Sequence, residues 1–194
     1  MEPSSNLTGK FLIAMPGMQD HRFERTVILV CAHSDDGAMG LVVNRALPEV
    51  DFGQLLNQLG IDTDFDTTEI PVRFGGPVEP GRGFVLHHVA QGESAAEGSM
   101  RIGEDLAMTT TRDILEDFAM GRGPRPAMLA LGYAGWGPGQ LDNEILANGW
   151  LTSDRSTAPR DEIIFGTDND KKWVAALRGM GVDPLLLSPS AGHA

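Results

Sequence analysis

The segment Thr26-Val27-Ile28-Leu29-Val30-Cys31-Ala32 constrains the fold more than any other stretch of the chain. It is β-branched and apolar at odd and even positions alike, the pattern of a strand buried on both faces. Such a strand belongs in the middle of a sheet, so others must flank it. Phe11 to Ala14 is a strand-like run stopped by Pro16-Gly17, and Gly37-Ala-Met-Gly40 makes a tight break before Leu41 to Asn44, which pairs back through a loop at Ser34 to Gly37. From Val72 to His88, two β segments surround Gly75-Gly76-Pro77 and Pro80-Gly81-Arg82-Gly83. The small, polar stretch from Gln91 to Ser99 reads as a surface loop. Further strands are expected at Arg101 to Met108, Ala127 to Tyr133, Trp150-Leu151 and Ile163-Ile164-Phe165.

Helical spacing is sparser. Asp51 is a candidate N-cap for a helix with Phe52, Leu55, Leu56 and Leu59 on one face and Gly60 as its stop. Thr109-Thr110-Thr111 can cap a helix carrying Ile114, Leu115 and Phe118, ended by Gly121 and Pro124. Two more are expected near Gln140 to Ala147 and Lys172 to Arg178. No repeat or interdomain linker interrupts the 194 residues, which one hydrophobic core can serve. The expectation is a loose N-terminus over residues 1–8 and a single α+β domain over residues 9–194.

Fifteen Lys and Arg against 27 Asp and Glu give a net charge of −12, which repels phosphate backbones and anionic membranes. That field argues against direct nucleic-acid binding. The single cysteine, Cys31, excludes an intramolecular disulfide. The N-terminal apolar run Phe11 to Met15 is too short for a signal peptide or a membrane span, so a cytoplasmic location is expected.

Residues two apart on a strand share a face, so Cys31 and His33 would project together, with Asp35 just beyond. A thiol beside an imidazole is a candidate thiolate for nucleophilic or redox work, whereas a cysteine in an apolar strand is ordinarily buried and inert. His87 and His88 point to opposite faces and cannot chelate together, and none of the five histidines has zinc-site spacing, so no metal or cofactor is expected. No GxSxG elbow is present, which argues against an ordinary serine hydrolase. Leu131 to Gln140 reads as strand, glycine loop and helix. It is a tight turn presenting Trp136, or an anion site opposed by Asp142 and Glu144. In Gly75 to Gly83, Glu79 and Arg82 stand within pairing reach, either locking the loop or holding an anionic ligand.

Phe11-Leu-Ile-Ala-Met-Pro-Gly17 and His33 through Gly37-Ala-Met-Gly-Leu-Val-Val-Asn44 resemble the opening of the bacterial AlgH/YqgE family. Gly75-Gly-Pro-Val, Arg82-Gly-Phe-Val-Leu-His87, Met108-Thr-Thr-Thr-Arg-Asp113, Gly132-Tyr-Ala-Gly-Trp136, Gly139-Gln-Leu and Ala191-Gly-His-Ala194 match its later blocks. Ala46 departs from a frequent proline, and Asp142 from a usual glutamate. The resemblance implies a coiled, bifurcated, mostly antiparallel β-sheet flanked by a few short helices. It also implies a label of transcriptional regulator, which names no reaction and finds no DNA-binding helix pair here.

The combined expectation is a non-enzymatic regulatory or binding protein. Its ligand residues would be Asn44, Arg82, Trp136 and Gln140, at the edges of glycine loops, and its partner a small ligand or a protein, with the oligomeric state open. The alternative is a thiol-dependent enzyme or redox sensor using Cys31 with His33.

Overall fold

One strand organises the molecule. In the computed structural model, which describes residues 6–18, 20–90, 92–94, 96–153 and 160–187, β8 (Ala127–Trp136) runs through both halves of a nine-stranded sheet. Its first half pairs antiparallel with β5 (Val78–His88) and parallel with β4 (Val72–Phe74). Its last residues, Ala134 to Trp136, pair antiparallel with β3 (Gly37–Val42). From β3 the order continues through β2 (Val27–Ser34), β1 (Phe11–Ala14) and β9 (Trp150–Ser153). On the other side β5 carries β7 (Leu106–Thr109) and then β6 (Ser99–Ile102). The sheet is therefore bifurcated at β8 and antiparallel except at β4.

Glycine makes the fork possible. A Cβ on Gly75 would lie 2.3 Å from the carbonyl oxygen of Gly132, and one on Gly132, at φ +75°, would lie 2.2 Å from that of Gly76. Only backbones without side chains can cross there. Gly132 also inverts the alternation of β8. Before it, even-numbered Met128 and Ala130 enter the shared core of both leaves; after it, even-numbered Ala134 and Trp136 enter a different cluster.

Three clusters result. The shared core gathers Val27, Leu29, Leu41, Phe84, Leu86 and Met128 under α4 (Arg160–Phe165) and α5 (Asn169–Gly179). A second packs Val72, Val85 and Leu129 against α1 (Phe52–Gln58) and α2 (Arg112–Ala119), which meet through an edge-on Phe52–Phe118 contact at 5.8 Å. The third sets Leu12, Ile28, Val30, Trp136 and Trp150 against α3 (Gln140–Leu146). Each fully buried Leu, Ile or Phe contributes about 1.5–3 kcal/mol relative to exposure.

Several expectations change. Arg101 to Met108 is a hairpin rather than one strand, turning at Gly103, where φ is +70°. Ile163 to Phe165 is helical, because a three-residue apolar run buried by its neighbours has no readable period. Gly37 to Gly40 and Gly132 to Trp136 are strand rather than turn, and Pro80 to Gly83 is an irregular stretch inside β5, where pairing jumps from Val78 to Gly83. Residues 1–5 and the terminal Ala191 to Ala194 lie outside the described residues. Leu7 is already packed in the third cluster, so the chain is docked ahead of Gly9.

The α4–α5 pair is fastened by two buried cations. Arg73 on β4 donates to the carbonyl oxygens of Val43 (3.1 Å), Ile164, Phe165 and Gly166, and Lys172 Nζ donates to those of Val43 (2.9 Å) and Ile164 (3.5 Å).

Candidate functional site

On the open part of the shared face, β3, β5, β6, β7 and β8 leave a groove of about 470 Å³. Strand alternation sends Met39, Met100, Met108, Phe84 and Tyr133 into it. Phe84 and Tyr133 meet edge to face at 5.8 Å, and the Arg82 guanidinium lies 5.1 Å from the Phe84 ring centre. Arg82 is paired with Glu79 at 3.4 Å, both side chains being more than half exposed. An ion pair so exposed contributes roughly 0–1 kcal/mol, so it neither locks the loop firmly nor prevents Arg82 from exchanging partners. Three flexible thioethers beside two rings can repack around varied apolar shapes, and the guanidinium supplies a fork for an anionic end.

The four expected ligand residues are divided rather than gathered. Arg82 and Trp136 line this groove, whereas Gln140 joins Trp136 in a second hollow of about 390 Å³ on the α3 side. Trp136 is 7% exposed. Its indole N–H donates to Glu144 Oε2 at 2.6 Å, and the Trp150 indole reaches the same oxygen at 3.3 Å. Gln140 Oε1 accepts from the Gly137 amide at 3.0 Å, securing the start of α3. Asn44 lines a third hollow with Arg25 and Arg45. Its side chain braces the backbone there, accepting from the Val27 amide and donating to the Arg25 carbonyl, each at 2.9 Å.

Cys31 and His33 do not share a face. A bulge shifts the β2–β3 register between Val30 and Ala32, so the alternation that would align them is broken. Cys31 is buried in the shared core, and burial pushes its thiol up to about 12. His33 turns to the α3 side, where its Nδ1 accepts from the Leu7 amide at 3.1 Å and its Nε2 lies 3.4 Å from Asp142. With Nδ1 as acceptor, the ring proton sits on Nε2 and faces the carboxylate.

The methionine wall and Tyr133 were not anticipated from sequence. The available signal was the alternation of Met100, Met108 and Phe84 with Ser99, Thr109 and His87 along their strands. Asp142, noted as a helix-start acid and as a departure from a usual glutamate, is the partner of His33.

A forked, curled sheet of this kind defines a known class. The solution structure of the AlgH protein from Pseudomonas aeruginosa superposes with a TM-score of 0.76 at 38% identity, covering 100% of this chain and 99% of that one. A crystal structure of a Corynebacterium diphtheriae protein shares the fold, with a TM-score of 0.69 at 23% identity over 92% of this chain and 89% of that one. The AlgH-like family model matches residues 11–185, and the chain belongs to that family. A UPF0301 protein of Paracoccus denitrificans is 69% identical over 194 residues, all of both chains, and one of Jannaschia sp. is 51% identical over 192 residues, 97% of this chain and 96% of that one. Among the described residues no helix is long and apolar enough to cross a membrane.

Proposed function

We propose that the protein is a regulatory binding module of the cytoplasm, whose ligand lays an apolar body in the methionine-lined groove and an anionic end against Arg82. The observation that carries this reading is the joining of Met39, Met100, Met108, Phe84 and Tyr133 in one groove with an exposed guanidinium at its rim. Groove ligands of this kind are held mainly by apolar surface, with a few polar groups fixing orientation. The net charge of −12 supports regulation through such a ligand, or a partner's side chains, rather than through contact with DNA. A thiol-dependent enzyme or redox sensor has less support, since the Cys31 thiol is buried and His33 faces elsewhere.

A thermal-shift screen against nucleotides and aliphatic and aromatic carboxylates tests the proposal, because a ligand at 100 times its Kd stabilises the native state by about 2.7 kcal/mol. The expected result is a saturable shift in melting temperature that weakens at least tenfold in Arg82→Ala. Stabilisation indifferent to both Arg82→Ala and Met108→Ala would place the ligand elsewhere and defeat the reading.

A further inference from the structure

Strand β5 has an opposite face, and there a cavity of about 730 Å³ opens beside the start of α2. Three of its wall residues form one hydrogen-bonded chain. Ser99 and Thr109 stand directly opposite each other on β6 and β7. Val85 is opposite Thr109 on β5, and His87, two residues along, shares Val85's face. Ser99 Oγ lies 2.6 Å from Thr109 Oγ1, which lies 2.7 Å from His87 Nε2, and His87 Nδ1 lies 2.9 Å from the His88 carbonyl oxygen.

The proton positions follow from the acceptors. A carbonyl oxygen cannot donate, so Nδ1 carries the ring proton and Nε2 presents a lone pair. Thr109 must therefore donate to His87, and its oxygen is left to accept from Ser99. Both hydroxyl protons are directed along the chain toward the imidazole, which burial keeps in its neutral, basic form. His87 and Thr109 are buried, whereas Ser99 is half-buried on the cavity wall and forms the accessible end. A polar chain that merely satisfied its own hydrogen bonds would need no open cavity at that end.

We propose that this cavity is an acyl-transfer site for small uncharged or cationic carboxylic esters, with Ser99 as nucleophile, Thr109 as proton relay and His87 as base. The construction differs from a nucleophile elbow, since the serine sits on an edge hairpin. Ser99 Oγ bonds to the acyl carbon while its proton passes to Thr109 Oγ1 and the Thr109 proton passes to His87 Nε2. Collapse breaks the ester C–O bond, and the departing alkoxide takes the proton back through the same chain and leaves as alcohol. Water then attacks the acyl-serine, and the carboxylic acid departs as the Ser99 hydroxyl is restored. Thr111 and Ile114 bring the first turn of α2 to the wall, and its amides receive no cap from the Thr111 side chain. Glu93, Glu97, Asp113, Asp117 and Asp161 around the cavity select against anionic acyl groups.

A neutral fluorophosphonate probe, which adds to a serine oxygen with loss of fluoride, provides the test on the full chain at pH 8. Mass spectrometry is expected to find one adduct, mapping to Ser99 and absent in Ser99→Ala. The labelling rate should fall at least tenfold in the near-isosteric Thr109→Val and in His87→Gln, and recover in Thr109→Ser. No adduct on a cooperatively melting native chain, or labelling of Ser99 at a rate indifferent to Thr109→Val, would overturn the proposal. If His87→Gln does not fold, the Thr109 pair carries the comparison.

Discussion

The helices of this protein are fastened to the sheet in two opposite ways. Helix α3 is held through Glu144, one carboxylate accepting from the indoles of Trp136 and Trp150. The α4–α5 pair is held through Arg73 and Lys172, two cations that share the neutral carbonyl oxygens of Val43 and Ile164. In the first, a full negative charge meets donors that complement it. In the second, two positive groups meet only partial charges, and among the described residues no carboxylate bonds to either. The difference shows how a core accommodates a second cation: it weakens that cation's hold on its proton. Burial, and then the Arg73 charge, bring Lys172 down to about 7, while Arg73 itself stays charged at neutral pH, lowered only to about 10.

Breaking the cationic fastening should have the largest effect. Arg73→Met orphans carbonyls at the end of α4, each costing about 1–3 kcal/mol when buried without a donor, so urea unfolding is expected to show a loss of about 3 kcal/mol or more. At the anionic fastening, Glu144→Ala leaves the indole N–H groups without their acceptor. A loss of about 2 kcal/mol is expected, with a shift in tryptophan emission that Glu144→Gln, which keeps an acceptor, reduces.

The smallest effect sharpens the comparison through pH. Lys172 is depressed below the ordinary lysine value, so above pH 7 the unfolded chain binds a proton that the folded chain has released. Stability should therefore rise with pH from about 7, by on the order of 1 kcal/mol per pH unit at most, and the burial penalty is fully felt below 7. Above pH 9 the buried Cys31 acts in the opposite sense, because its raised thiol keeps a proton that the unfolded chain loses. The clean window is pH 7 to 9. There Lys172→Met should flatten the slope measured by denaturation, whereas Glu144→Gln should leave it intact.

Much of the fold was legible where burial writes itself into residue type. The run from Thr26 to Ala32 lies almost wholly in β2, flanked by strands on both sides, and Asp51 caps α1 through its Oδ1 bond to the Gln54 amide at 2.7 Å. What escaped were the points where the two-residue period breaks. The bulge beside Cys31 and the positive φ at Gly132 each invert which residues face which core, and neither leaves a mark in a chain read with strict alternation. The site suffered for the same reason. Cys31 and His33 were paired by a period that the bulge cancels, and Asn44 drew notice beside glycines although its amide is spent on backbone. Glycine stretches taken for ligand loops are the crossing of two leaves.

That crossing also fixes where the chain can vary. Gly75, Gly76 and Gly132 press backbone on backbone, with room for nothing larger than hydrogen. A random substitution elsewhere on the surface changes one side chain, but at these positions it would wedge the two leaves apart and disturb hollows on both sides at once. The seam therefore acts as the keystone of the mutational landscape: the walls of each hollow are free to diversify only as long as these residues stay bare.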